Sequence, residues 1–588
     1  MSFLNLKRDT PFLLTIILVA FFNSCATGKY IGIDELTSGN LTAGGVYKIR
    51  SECNLMGGVV LLPNNSLLEF MDGGSIRNGS IIGQNVRLRY HNPFLGDSIN
   101  IQGCVIDGKG VIRDKDVFIT VTHTQKEIQL LFDISGGTKV VFSPGIYQNV
   151  EKIEVNINID ADFSNSTITL KSDKNYVAEC FYMEPWVNKK IGYVKVKNLT
   201  IKGKRNGVKG AVARRCIQLF YVSEVALDNI TIDQYYGGPN EFKEDASDLL
   251  DKTRIGTSAI CIMCYDKCII NNCRTNDVSK EIFWCVPNNN PRNITYFTNN
   301  KSTNSAINGS SSFFTLLDGR CVVKGNEVQN YNGSAFNALC YDSEISNNKF
   351  YDGKRSVAID LSEGTMYRAK NVYIHDNFCY NTKGMIAAYG EELRICNNYW
   401  SNDFIQEGKR IYICYINTRD KRTREGKYVG CENNPENGVG SKNIEIENNE
   451  CINKGRVKNE EIRFACLYGD DITVSQNSLI GFNVPVVQLA NGANFTFKAN
   501  AIGESHDGNY AELLINRGNN IEVINNSFSR VYSKKNASYT VQLLVPEGYL
   551  TYKGNKSHNN SKNKVHESCL IEDRSKLQKT EIYRDEKK

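Results

Sequence analysis

Residues 393–399 read Leu-Arg-Ile-Cys-Asn-Asn-Tyr. Apolar and polar side chains alternate through Leu393, Arg394 and Ile395, the period of a half-buried strand. Two asparagines then end the run, and asparagine tolerates the left-handed backbone angles of a tight corner. A further apolar stretch opens at Tyr399. The same device recurs along the chain as Cys-Ile-Ile-Asn-Asn-Cys at 268–273, Glu-Ile-Ser-Asn-Asn-Lys-Phe at 344–350 and Val-Tyr-Ile-His-Asp-Asn-Phe at 372–378. It returns as Ile-Glu-Ile-Glu-Asn-Asn-Glu-Cys at 444–451 and Ile-Glu-Val-Ile-Asn-Asn-Ser-Phe at 521–528, with weaker copies at 471–479, 494–502 and 549–555. The second asparagine falls at 272, 300, 326, 348, 377, 398, 449, 477, 500, 526 and 555. Successive spacings run from 21 to 29 residues, except one of 51 that reads as about two coils and spans the loop-rich stretch 408–442.

A period in the mid-twenties without helical patterning excludes propeller blades, and the leucine spacing of leucine-rich repeats is missing. What remains is an all-β solenoid of about a dozen or more coils, each strand pairing in parallel with its equivalent roughly 4.8 Å along the axis. Asparagine at a fixed corner can then bond its counterparts above and below as a ladder. Composition agrees: 47 glycines and only 11 prolines suit many tight turns, and 41% hydrophobic residues over 588 fill a large core. Seventy Lys+Arg against 64 Asp+Glu leave +6, which is no nucleic-acid signature.

Residues 124–147 hold a short amphipathic segment and then Gly-Gly-Thr-Lys-Val-Val-Phe-Ser-Pro-Gly-Ile-Tyr. This order resembles the entry to pectate-lyase-like and phage-tailspike β-helices, where a helix caps the first coil. The resemblance implies a right-handed parallel β-helix over 117–555, which is a statement about fold and not about reaction. Residues 26–116 are β-rich and turn-punctuated, a small solenoid module or the first irregular coils. Residues 556–588 are polar and charged, and read as a loose cap or a disordered tail.

Residues 1–25 read as an export signal: Lys7 and Arg8, an apolar run from Pro11 to Phe22, then Asn23-Ser24-Cys25. A cysteine directly after a small residue resembles the lipobox of bacterial lipoproteins, in the loose form of Bacteroidota-type surface lipoproteins. That resemblance implies acylation at Cys25 and a lipid-anchored protein at the outer membrane, on its periplasmic face or the cell surface. The other cysteines recur near the coil period (321, 340, 379, 396, 414, 431, 451, 466) and read as small apolar side chains inside coils. Cys261 and Cys264, three apart on a strand-like run, face opposite ways and argue against zinc.

Candidate chemistry comes from lining up the coils. Acids recur after one strand at Asp266, Asp318, Asp342, Glu363, Glu391 and Asp470. In register, such carboxylates would stack about 5 Å apart and repel, share a proton or recruit a cation. Asp342 and Asp470 are accordingly candidate calcium ligands; the fold itself needs no cofactor. Solvated turn acids balanced by lysine and arginine are the plainer explanation. Asp360 differs, because Val357, Ile359 and Leu361 would face inward and leave it outward on a strand. With Lys354, Arg355, Glu363 and Glu391 it forms a candidate catalytic group for lyase or hydrolase chemistry. Trp284, Tyr389 and Arg394 are candidate substrate-binding residues, and 408–442 a basic protrusion able to close over an anionic glycan. His375, beside Asp376, reads as structural, and polygalacturonase-type motifs are absent. The expectation is an exported β-helix that binds or cleaves polysaccharide, with a non-catalytic adhesion or scaffold solenoid as the alternative.

Overall fold

A computed structural model describes residues 28–582 apart from 72, 91–98, 107–116, 122, 126–127, 130, 133–138, 151, 171–179, 184–189, 204–215, 236–257, 279–280, 305–311, 355, 363–368, 404–409, 417–418, 421–437, 456–460, 506–510, 531–539, 560–568 and 574. Cys25, Arg355, Glu363 and Cys431 lie outside the described residues. The chain divides into two compact units, residues 1–145 with 155–166, and residues 146–154 with 167–588.

In the first unit, Val46–Ile49, Leu67–Phe70, Gly79–Tyr90 and Ile99–Ile106 pair in parallel, with Tyr47, Leu68, Leu88 and Ile106 in one column. This is a small solenoid with a repeat of 18–21 residues. Val117–Ile119 and Lys139–Phe142 belong to the same unit and pair in register through Val117 and Val140. Lys139–Phe142 pairs in turn with Ile159–Leu170 through Val140 and Ala161. The segment expected to be an entry helix is helical at 125, 128–129 and 131–132, and buries Ile128, Leu131 and Phe132. Phe132 lies 5.9 Å from Phe142, which stacks on Phe163 at 3.9 Å.

The second unit is a right-handed parallel β-helix with three ladders of strands. One coil illustrates it: Gly384–Ala388 lies in the first ladder, Gly390–Cys396 in the second and Tyr399–Asn402 in the third. An inward column of the second ladder runs Val196, Leu227, Ile270, Phe297, Val323, Ile345 and Ile374. It continues through Ile395, Ile446, Val474, Phe497, Val523, Tyr552 and Ile582, making fourteen coils. Every member but Ile582, at the open end, is buried.

The paired asparagines occupy two different columns. Asn272, Asn299, Gly325, Asn347, Asp376, Asn397, Asn448, Gln476, Ala499, Asn525 and Gly554 take φ between +52° and +69°, the left-handed corner. The next residue forms the ladder. From Asn300 to Asn526, each Nδ2 donates to Oδ1 of the next asparagine at 2.9–3.1 Å, ending at Asn555. The same oxygens accept backbone N–H groups of the preceding coil at 2.9–3.1 Å, beginning with Cys273. All ten asparagines are at most 1% exposed. Asn272 is thus a corner residue, and Cys273 holds the ladder position there.

Two further expectations change. Asn398 bonds Asn449 directly, so the spacing of 51 is one coil carrying an inserted loop. Within the supposed loop, Arg410–Ile416 is a first-ladder strand paired with Gly384–Ala388 and Glu461–Ser475. Beyond Asn555, Lys556–Asn559, Cys569–Ile571 and Leu577–Ile582 complete another coil on Ser527–Arg530 and Val541–Lys553. That terminal coil turns polar because one face meets solvent, and charged side chains blunt the open strand edge.

Sixteen described cysteines carry free thiols, fourteen of them buried, and no group of His, Cys, Asp or Glu among the described residues is arranged to hold a metal. Burial pushes the Cys273 and Cys414 thiols up to about 12.

Candidate functional site

Among the described residues, Asp360, Lys354 and Glu391 sit on different parts of the coil. Asp360 sits in the outward column of the first ladder, between Asn337 and Ala387 on neighbouring coils. It faces outward as the alternation requires, yet is only 7% exposed. Its Oδ1 accepts hydrogen bonds from the Ser362 backbone N–H at 2.9 Å and hydroxyl at 2.6 Å, a local turn that fixes the carboxylate. Lys354 lies at the corner after the third ladder, where its N–H donates to the Tyr331 carbonyl at 3.0 Å. Glu391 is the second residue of the second-ladder strand Gly390–Cys396.

The acid ladder dissolves once the register is known. Along one column Lys370, Glu391, Lys442 and Asp470 alternate in sign, so no acid there stacks on another. Asp342 lies one position over, in a left-handed corner at φ +44°, and accepts from Asn371 Nδ2 at 2.7 Å. Asp470 accepts from the Ala493 backbone N–H at 2.9 Å. Four coils separate Asp342 from Asp470, roughly 19 Å at about 4.8 Å each, too far to share a calcium ion. The sequence aligned these acids because each follows a strand. A one-residue difference in where the corner begins puts them in different columns.

The expected binding residues divide between two ladders. Trp284 belongs to the outward first-ladder column that leads through Thr315 and Asn337 to Asp360. Its half-buried indole has an Nε1–H with no hydrogen-bond acceptor. Tyr389 is buried at 6% beside the same face. Arg394 is on the second ladder, paired with Glu445 at 3.3 Å and Glu447 at 3.8 Å and lying 5.4 Å over the Tyr373 ring. Nearby, His375 Nδ1 meets Asp376 at 2.6 Å and Nε2 meets Glu344 at 3.3 Å, while its ring stacks on Tyr373 at 3.9 Å. The hydroxyl of Ser346 first, then Lys324 and His375, hold the Glu344 carboxyl below its usual range. This network ties neighbouring coils together.

A cluster that the sequence reading missed lies further along the first-ladder face. Tyr412 and Tyr415 are half-buried, stack at 5.6 Å and pack against Cys466, Tyr468 and Ala490. Tyr468 meets Tyr415 edge-on at 6.4 Å. Arg463 pairs in register with Tyr412, is 3% exposed, and donates from Nη1 to Gln488 Oε1 at 3.1 Å. Asp360, Ala387, Tyr415, Cys466 and Gln488 share one column, so small residues alternate with aromatic and polar ones on consecutive coils. The alternation in Arg-Ile-Tyr-Ile-Cys-Tyr-Ile at 410–416 was the available signal, hidden by the reading of 408–442 as a loop. The basic run after it does begin on a ribbon, since Arg419–Asp420 pairs antiparallel with Gly438–Val439; its 421–437 portion is outside the described residues.

No protein-family model and no curated protein matches the chain. Among solved structures it is similar to the Streptococcus pneumoniae surface protein and adhesin PfbA, with 13% identity over 77% of this chain and 99% of that one, at a TM-score of 0.33. It is also similar to the alginate lyase AlyF-OU02 bound to G6, at 15% identity, 81% and 84% coverage and a TM-score of 0.26. A Yersinia enterocolitica family 28 exopolygalacturonase matches at 12% identity, 79% and 78% coverage and a TM-score of 0.29. Similarity this low says nothing about activity; the fold rests on the ladders themselves.

Proposed function

We propose that this is an exported, polysaccharide-binding β-helix that holds an acidic glycan along the outward face of its first ladder and does not cleave it. The tyrosine cluster carries the reading: Tyr412 and Tyr415 offer partly open, stacked rings, and the buried Arg463 of the next coil pairs in register with Tyr412. Aromatic rings stack on sugar faces. The reading of binding rather than hydrolysis is supported by the separation of two described acids. Asp360 and Glu391 occupy different ladders, whereas glycoside hydrolysis needs two carboxyl groups across one bond.

The test is a panel of acidic and neutral polysaccharides, read for retention of the protein and for unsaturated uronates and new reducing ends, with and without calcium. Retention by an acidic polymer, weakened about tenfold in Tyr415→Ala, is the expected outcome. Ultraviolet-absorbing product or new reducing ends would replace binding with lyase or hydrolase chemistry. Acylation at Cys25 would hold the protein at the membrane. Fatty-acid labelling that persists in Cys25→Ser would remove the anchor from the proposal.

A further inference from the structure

A second surface, on the outward side of the last second-ladder coils, encloses a groove of about 510 Å³. That volume is in the range of small-ligand clefts. Its central column runs Thr496, Glu522, Thr551, Glu581, so a hydroxyl and a carboxylate alternate from coil to coil. The Thr496 hydroxyl donates to Glu522 at 3.4 Å. Alongside, Asn520 Nδ2 donates to Asn494 Oδ1 at 2.9 Å, and Asn520 Oδ1 accepts the Tyr549 N–H at 3.3 Å. Lys579 meets Glu581 at 2.6 Å and by this hydrogen bond holds its carboxyl below the usual range. Tyr549 is 54% exposed, whereas Ile521 and Leu550, which also line the groove, are buried.

We propose that this groove binds a neutral oligosaccharide lying along the solenoid axis, at a site separate from the first-ladder face. Sugar hydroxyls both donate and accept, which suits alternating threonine, glutamate and asparagine groups. The exposed Tyr549 ring supplies one stacking face. Glu522 and Glu581 outnumber Lys579 and oppose a uronate, and the apolar lining residues Ile521 and Leu550 are buried, which leaves little apolar side chain for a lipid or an apolar peptide face. The repeat of roughly 4.8 Å between coils is close to the advance per hexose of an extended chain, so successive sugars meet successive rungs.

Calorimetric titration of the full-length protein with cello-, manno- and xylohexaose, and with an oligouronate of equal length, tests this. Saturable binding of a neutral probe is expected, about tenfold weaker in Tyr549→Ala and also weakened in Glu522→Gln. Thermal midpoints of both variants confirm that they fold, since both side chains are exposed. Neutral-sugar binding that both variants retain would overturn the proposal, as would failure of every neutral probe to bind. Loss in Tyr415→Ala alone would move the sugar to the first-ladder face. Loss of acidic-polymer binding by itself leaves the groove standing, because the two sites share no residue.

Discussion

Asn397 and Asn398 are adjacent, carry the same side chain and do different work. Asn398 receives two donors from Asn377, and its Nδ2 reaches the Ile374 and Cys396 carbonyls and Asn449 Oδ1, all near 3.0 Å. Asn398→Ala leaves buried donors and acceptors without partners, and should lower unfolding free energy by about 3 kcal/mol in a denaturant titration. Asn397 instead holds φ at +54° in an exposed corner. Asn397→Ala should cost about 1 kcal/mol, and Asn397→Gly should lie within about 0.5 kcal/mol of the parent. Equal losses at both positions would contradict this division. The sequence displayed the pair as one signal. That is why the reading slipped at 272, where asparagine takes the corner and Cys273 the ladder.

Among elements, the strands were legible because inward side chains repeat with period two. The order of acids across strands was not, since it depends on where each corner begins. Lys442, between Glu391 and Asp470 in its column, shows the consequence. Lys442→Glu would set three acids on consecutive coils and should destabilise by about 1 kcal/mol at low salt, shrinking as ionic strength rises. A penalty that does not change with salt would mean that packing rather than charge is responsible. The single coil across the 51-residue spacing, with its strand Arg410–Ile416, and the polar last coil escaped the reading for related reasons. One breaks the period without breaking the register. The other satisfies the register while exposing a face that the periodicity expects to be apolar.

For the whole molecule, the dense set of buried thiols gives stability an alkaline limit. Burial raises Cys273 and Cys414 from the ordinary value of about 9 to about 12. The unfolded chain therefore releases these protons first as pH climbs. Their contribution is complete below about pH 9 and declines between 9 and about 12, by at most about 1.4 kcal/mol per pH unit for each thiol. Replacing both with alanine should flatten that part of a stability–pH curve measured by urea denaturation, and an unchanged slope would assign the limit to other groups.

The asparagine ladder also has a direction. Every side-chain oxygen points back toward the preceding coil, and every amide nitrogen that continues the ladder points to the next, from Asn300 to Asn526. The amide dipoles therefore add head to tail, as peptide dipoles do along a helix, and polarise one another. One edge of the β-helix is in effect a wire of aligned dipoles with its oxygens toward the amino-terminal coils. An aspartate placed within it could accept but not donate, and would break the polarisation at a single rung.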